Sequence, residues 1–282
     1  MAGPDLLLIH PPAARAAGPP LGTAVLLSHL RRGGATAEAI DANLEAHLYL
    51  LDGDRLAAAA GPAPATALHR AMKNVPRALS FLRSSEAGRS FSRYTAAARH
   101  LNTALSAYRG VSARERWTLG DYVHAGLSEF SPRDLSLAAS GQRGTVFSGY
   151  FGDALLPRVE RMRPRGVAIS VNYRHQVLPA FELAGLLRRH LPGVPVYGGG
   201  GMFTSWRSSL RGMEHAFLPF DRVGFGPGES PLAAVAGGAS RGGRLFFEDG
   251  EAVEFLPDFG FAPLREYLSP EPVLPVAATR GC

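Results

Sequence analysis

Val194-Pro195-Val196-Tyr197-Gly198-Gly199-Gly200-Gly201 reads as a short strand that runs straight into four glycines. β-Branched and aromatic residues suit a pleated, half-buried surface, and the glycines stop the strand and bare its backbone. The same alternation recurs on both sides. Upstream, Gly166 to Asn172 predicts another strand, followed by a helix from about Val177 to His190. Downstream, Met202 to Leu210 begins a helix, and Arg222 to Phe225 predicts a short strand leading through Gly226-Pro227-Gly228-Glu229 into a helix over Ser230 to Ala236. Near the amino end, Leu6 to Ile9 is an apolar run of the kind buried on both faces of a parallel sheet. A helical period follows from Leu21 to Leu30, ended by Arg31-Arg32-Gly33-Gly34, and then a strand over Ala35 to Ile40. Strands alternating with helices in this way predict an α/β chain with a doubly wound parallel sheet of about five strands. Leu245 to Phe247 and Ala252 to Phe255, joined around Asp249-Gly250, predict a hairpin.

Between residues 45 and 164 the sheet pattern gives way to alanine- and arginine-rich segments, with helices expected over Thr66 to Leu82, Ser92 to Tyr108 and Asp153 to Met162. The expected organisation is therefore a first βαβ unit over 1–44, a helical, basic insertion over 45–164, the rest of the sheet domain over 165–240, and a hairpin and linker over 241–282. The insertion reads as a cap on the sheet or as a basic face for an anionic partner.

The net charge of the 282 residues is +6, and it is local. From His69 to Arg116 ten basic residues stand against two acidic ones, leaving the rest slightly acidic. Lys73 is the only lysine, so the basic character reflects an arginine-rich composition, and nucleic acid is not the expected partner. No apolar run approaches the ~18 residues of a membrane span. The Leu6–Ile9 run follows Asp5 rather than a basic segment, which argues against a secretory signal and for a cytoplasmic protein. A single cysteine, Cys282, excludes a disulfide framework.

Ligands of doubly wound sheets bind at the carboxyl ends of the strands. The residues falling there are Pro11 and Pro12, Asp41 and Asn43, Ser170 and Asn172, Gly198 to Gly201, and Gly226, Gly228 and Glu229. Glycines allow close backbone approach, and a small Ser170 leaves room on the sheet face. Each also has a plainer reading, as a turn former or a strand-end hydrogen-bonding group. No Gly-x-Gly-x-x-Gly follows the first strand, where Pro11-Pro12 stands instead, so the usual dinucleotide fingerprint is absent. His10 and His175 have no partners at metal-ligand spacing.

The ordered series Leu8-Ile9-His10-Pro11-Pro12, Pro20-Leu21-Gly22, Ile40-Asp41-Ala42-Asn43, Val167-Ala168-Ile169-Ser170, Gly198-Gly199-Gly200 and Gly226-Pro227-Gly228-Glu229 resembles the cobalamin-binding domain of cobalamin-dependent radical S-adenosylmethionine (radical SAM) proteins. The last motif is commonly Gly-Glu-Gly-Glu in that family. The resemblance implies a Rossmann-like fold in which Ser170, Asn172 and Gly198 to Gly201 line a groove for the nucleotide tail of cobalamin and Pro12, Leu21 and Asn43 lie near the corrin face, with Gly226, Gly228 and Glu229 also expected to bind the cofactor. Where other cobalamin proteins carry Asp-x-His-x-x-Gly, this chain has Asp41-Ala42-Asn43. Cobalt without a protein histidine is therefore expected, with His47 the only nearby substitute.

Thr279-Arg280-Gly281-Cys282 resembles the opening of the family's cysteine triad, so Cys282 would be the first ligand of an incomplete 4Fe-4S site. The resemblance then implies a radical SAM barrel following this chain, with S-adenosylmethionine as a second cofactor. The implied whole is a methyltransferase or C–C bond-forming enzyme acting on a small-molecule or peptide substrate, of which this portion alone is not catalytic. Two rival expectations are a non-catalytic cobalamin-binding or regulatory module and a nucleotide-binding Rossmann-type enzyme.

Overall fold

The computed structural model describes residues 3–108, 116–209, 217–238, 245–247 and 256–277. It opens with β1 (Leu6–His10), α1 (Leu21–Arg32), β2 (Ala37–Asp41), α2 (Ala42–Leu50) and α3 (Gly53–Ala60). Then come α4 (Thr66–Leu82), α5 (Phe91–Leu105), the short strands β3 (Arg116–Trp117) and β4 (Tyr122–Val123), and α6 (Pro132–Ser140). A single turn, α7 (Ser148–Tyr150), passes through a π turn over Phe151–Leu155 into α8 (Leu156–Met162). The alternation resumes with β5 (Val167–Ser170), α9 (Val177–His190), β6 (Val196–Gly199), α10 (Gly201–Ser205), β7 (Arg222–Phe225), α11 (Glu229–Ala236) and β8 (Leu245–Phe247).

Six strands form one sheet in the order β2-β1-β5-β6-β7-β8, and every neighbouring pair is parallel. The expected doubly wound α/β fold is present. One expectation is corrected: Leu245–Phe247 is a sixth parallel strand beside β7, where a hairpin arm was predicted. Its proposed partner arm, 252–255, lies outside the described residues, as does Cys282.

The period of two along β1 distributes its leucines to both faces. Leu6 and Leu8, with Ala168 of β5, pack under Leu27 and Leu30 of α1 and Leu232 of α11. Leu7 and Ile9, with Val167 and Ile169, face α9 through Val177, Phe181 and Leu187. Fully burying a side chain of this size contributes roughly 1.5–3 kcal/mol, which is why an unbroken Leu-Leu-Leu-Ile run belongs in the middle of such a sheet.

The region between β2 and β5 does not stand apart. Leu50, Leu56, Val75, Leu82, Leu101 and Leu105 belong to the same continuous core as Leu7, Ile9 and Val167. In α4 the buried positions Ala71, Val75, Ala78 and Leu82 recur at steps of four, three and four, one stripe of a helix. The proposed boundary at residue 44 falls inside α2, which starts directly at the end of β2 because Asp41 Oδ1 accepts from Asn43 N and Leu44 N, both at 3.1 Å. Among the described residues, no helix is long and apolar enough to cross a membrane.

Candidate functional site

β1 pairs with β2 on one side and with β5 on the other, so the direction of winding reverses between β1 and β5. Open α/β sheets bind ligands at such a reversal, outside the carboxyl ends of the strands. A cleft of about 550 Å³ lies there, on the face covered by α1 and α11. That size falls within the roughly 300–1,000 Å³ of ordinary small-molecule sites.

The floor of the cleft is the sheet itself, at Leu8, Ala168, Ser170, Tyr197 and Gly199. One wall is α1, through Gly22, Thr23, Val25 and Leu26, and the other is α11, through Gly228, Glu229 and Leu232. The rim is formed by Asn172, Gly200, Gly201, Thr204, Gly226 and Pro227. Nine of the twelve cofactor-binding residues expected from the sequence meet here: Ser170, Asn172, Gly198, Gly199, Gly200, Gly201, Gly226, Gly228 and Glu229.

The glycines of this group do different things. A Cβ on Gly198 would meet Phe220 and Phe203 at 2.9 and 3.0 Å, so its side-chain position faces the aromatic core on the opposite face, and it meets the cleft only through its backbone. Gly200 has φ +111°, and a Cβ there would lie 2.4 Å from Val171 O, so the turn itself requires glycine. Gly199 is unlike both. A Cβ on it would touch only Gly224 O, at an ordinary 3.6 Å, and Gly22 has open space before it. These two residues keep side chains out of the cleft where nothing in the fold would stop one.

Hydrogen bonds fix the rim. Asn172 Nδ2 donates to Ser170 Oγ at 3.0 Å, and Asn172 Oδ1 accepts from Gly201 N at 3.1 Å. Thr204 Oγ1 donates to Gly200 O and accepts from Gly226 N, each at 3.0 Å. Behind them Gln176, fully buried, accepts from Asn172 N and Tyr173 N at 2.8 and 3.0 Å and donates to Pro11 O at 2.6 Å. Gln176 thereby joins the ends of β1 and β5 across the reversal. Burial pushes the pKa of the Tyr197 phenol up, keeping it neutral. The cleft has no Lys or Arg among its described lining residues, and Glu229 is its acidic member.

Three expected residues lie elsewhere. Asn43 is buried, and its Oδ1 accepts from Ala14 N at 2.8 Å, so it holds the loop after β1. Pro12 is enclosed in that same loop, and Leu21 opens α1 half-buried but outside the cleft lining. The loop is covered by the segment 256–277, where Leu268 N donates to Ala16 O at 2.7 Å and Tyr267 OH donates to Asp41 Oδ2 at 2.6 Å. His47 is fully buried, with Nδ1 2.8 Å from Asn43 O and its ring 4.6 Å from that of Trp117, so it presents no face to the cleft.

The sequence reading missed Thr23, Thr204 and Gln176, whose types carry no motif and which act only through the packing of α1, α10 and α9 against the strand ends. The floor of the cleft is bared by Gly199, its walls at Val25, Leu26 and Leu232 are apolar, and polar groups sit at its rim, a lining compatible with an uncharged heterocycle such as the nucleotide tail of cobalamin. A 4Fe-4S cluster does not fit this chain, which has one cysteine where a cluster takes three or four thiolates. Among the described residues, no group of three or more His, Cys, Asp or Glu is placed to hold a metal ion. No protein-family model, curated protein or solved structure matches the chain.

Proposed function

We propose that this chain binds a corrinoid, with the uncharged end of the nucleotide tail entering the cleft between α1, α11 and the sheet. The observation that carries the reading is Gly199: a glycine with no conformational reason to be one, open to the cleft, at the end of β6 beside the strand reversal. Apolar walls from Val25, Leu26 and Leu232 would exclude water from a flat heterocycle, while Ser170 and Asn172 would meet its polar edge. A phosphate-rich nucleotide is less suited, because the described lining residues offer Glu229 and no cation to several negative charges.

In this reading the chain is the cobalamin-binding portion of a cobalamin-dependent radical SAM enzyme, a methyltransferase or C–C bond-forming enzyme acting on a small molecule or peptide. Cobalamin, when bound, supplies a cobalt-bound methyl group for transfer. The residues of this chain bind and orient the cofactor's tail and keep water from it. The test is a visible absorption spectrum of the purified chain after incubation with hydroxocobalamin and desalting. A retained, roughly stoichiometric corrinoid band is expected. An empty spectrum from folded protein, or displacement of the band by adenosine nucleotides at equal concentration, would return the site to a nucleotide ligand.

A further inference from the structure

Thr23 is the third residue of α1 and is 1% exposed. Helical threonines commonly return the hydroxyl to a carbonyl three or four residues back. The hydroxyl of Thr23 makes no such bond and has no hydrogen-bond partner among the described residues. A buried hydroxyl without a partner is costly, and a valine would fill the same volume without that cost. Thr23 also lines the cleft, between the open Gly22 and the apolar Val25 and Leu26. The α1 wall would otherwise be without side-chain polarity along this stretch. Across the cleft, Asn172 at the rim already bonds both Ser170 on the floor and Gly201.

We infer that Thr23 is a specificity-determining residue, its hydroxyl hydrogen-bonding a heteroatom on an uncharged, heterocycle-bearing segment of the ligand that enters between α1 and the sheet. The inference rests on the corrinoid reading of the cleft, and it adds what that reading lacks: a polar contact on the helix side that distinguishes a ligand with a nucleotide tail from one without. The absence of cations among the described lining residues and the presence of Glu229 make the contacted segment neutral rather than a phosphate.

Thr23→Val and Thr23→Ser test it, with hydroxocobalamin and the tail-less cobinamide as probes. Without ligand, Thr23→Val is expected to melt about 2 °C higher, because an unpartnered buried hydroxyl has been removed. Its affinity for hydroxocobalamin is expected to fall about tenfold, the loss of one hydrogen bond in a dry site. Thr23→Ser keeps the wild-type affinity, and cobinamide behaves identically with all three proteins. Unchanged hydroxocobalamin binding by Thr23→Val would sink the inference while leaving the corrinoid reading standing. A lowered melting temperature would do the same, since it would reveal a structural partner for the hydroxyl. Equal loss toward both probes would show a general distortion of the cleft instead. Wild-type protein that binds no hydroxocobalamin would overturn the corrinoid reading and the inference with it.

Discussion

Gly199 and Gly200 are adjacent in the chain and opposite in what they require. Gly200 is held by the backbone: its φ of +111° is a region that L side chains rarely adopt, and Val171 O leaves no room for a methyl group. Gly200→Ala is expected to cost about 3 kcal/mol, from a strained dihedral and a backbone clash together, and to show as a lowered denaturation midpoint. Gly199 is held by nothing around it, so Gly199→Leu is expected to leave the melting temperature within about 2 °C of wild type. Its isobutyl group would occupy the cleft floor, and corrinoid retention after desalting should be lost. Retention by Gly199→Leu at the wild-type level would place the ligand somewhere else on the molecule. The two substitutions together separate a glycine that serves the fold from one that serves the cleft.

The segment 256–277 has no regular secondary structure, yet it is tied to the loop after β1 and to the end of β2. Tyr267, buried, donates to Asp41 Oδ2, while Asp41 Oδ1 caps α2, so one carboxylate joins a strand end, a helix start and this segment. Burial pushes the phenol's pKa up strongly, with the neighbouring carboxylate adding to it, so Tyr267 stays a donor. Tyr267→Phe would leave Asp41 Oδ2 buried without that partner and is expected to cost about 1–3 kcal/mol, read as a shift in urea midpoint without a change of slope. Elements with a strong period were legible in the sequence: α4 spans Thr66–Leu82, α9 spans Val177–His190 and β7 spans Arg222–Phe225, as the spacing predicts. α2 was not, because its Ala42-Asn43-Leu44-Glu45-Ala46-His47-Leu48-Tyr49-Leu50 stretch is apolar nearly all round and follows a strand with no intervening turn. β3 and β4, two residues each, are too short to carry an alternation. The candidate site divides the same way. Strand-end residues such as Ser170 and Gly199 could be placed because parallel strands bring their carboxyl ends to one edge. Thr23 and Leu232 could not, since which helical residues face the cleft depends on how α1 and α11 lie against the sheet.

Among the described residues two imidazoles, those of His10 and His47, are buried, and they shape the response of the whole molecule to acid. His10 is 5% exposed and has Gln176 Nε2 3.3 Å from its Nε2, while His47 is fully enclosed beside Asn43 O and Trp117. Burial lowers both pKa values below 6.5, outweighing the pull of Asp41 on each and, for His47, of the Asn43 and Leu119 backbones. In the unfolded chain these histidines take up protons near pH 6.5, and in the folded chain only at lower pH. The unfolded state therefore binds more protons as pH falls below 6.5, and stability drops by up to about 1.4 kcal/mol per pH unit for each. Glu182 works in the other direction. Burial raises its pKa above 4.5 in spite of the hydrogen bonds from Ser148 and Thr145, so the folded state takes that proton first and recovers stability as pH falls through the raised value toward 4.5. Urea midpoints should therefore fall as pH drops below 6.5, with Glu182 offsetting part of the loss at lower pH. A midpoint that stays level from pH 7.5 to 5.5 would mean that His10 and His47 are protonated in the folded protein, which their burial against Gln176 and Trp117 does not accommodate.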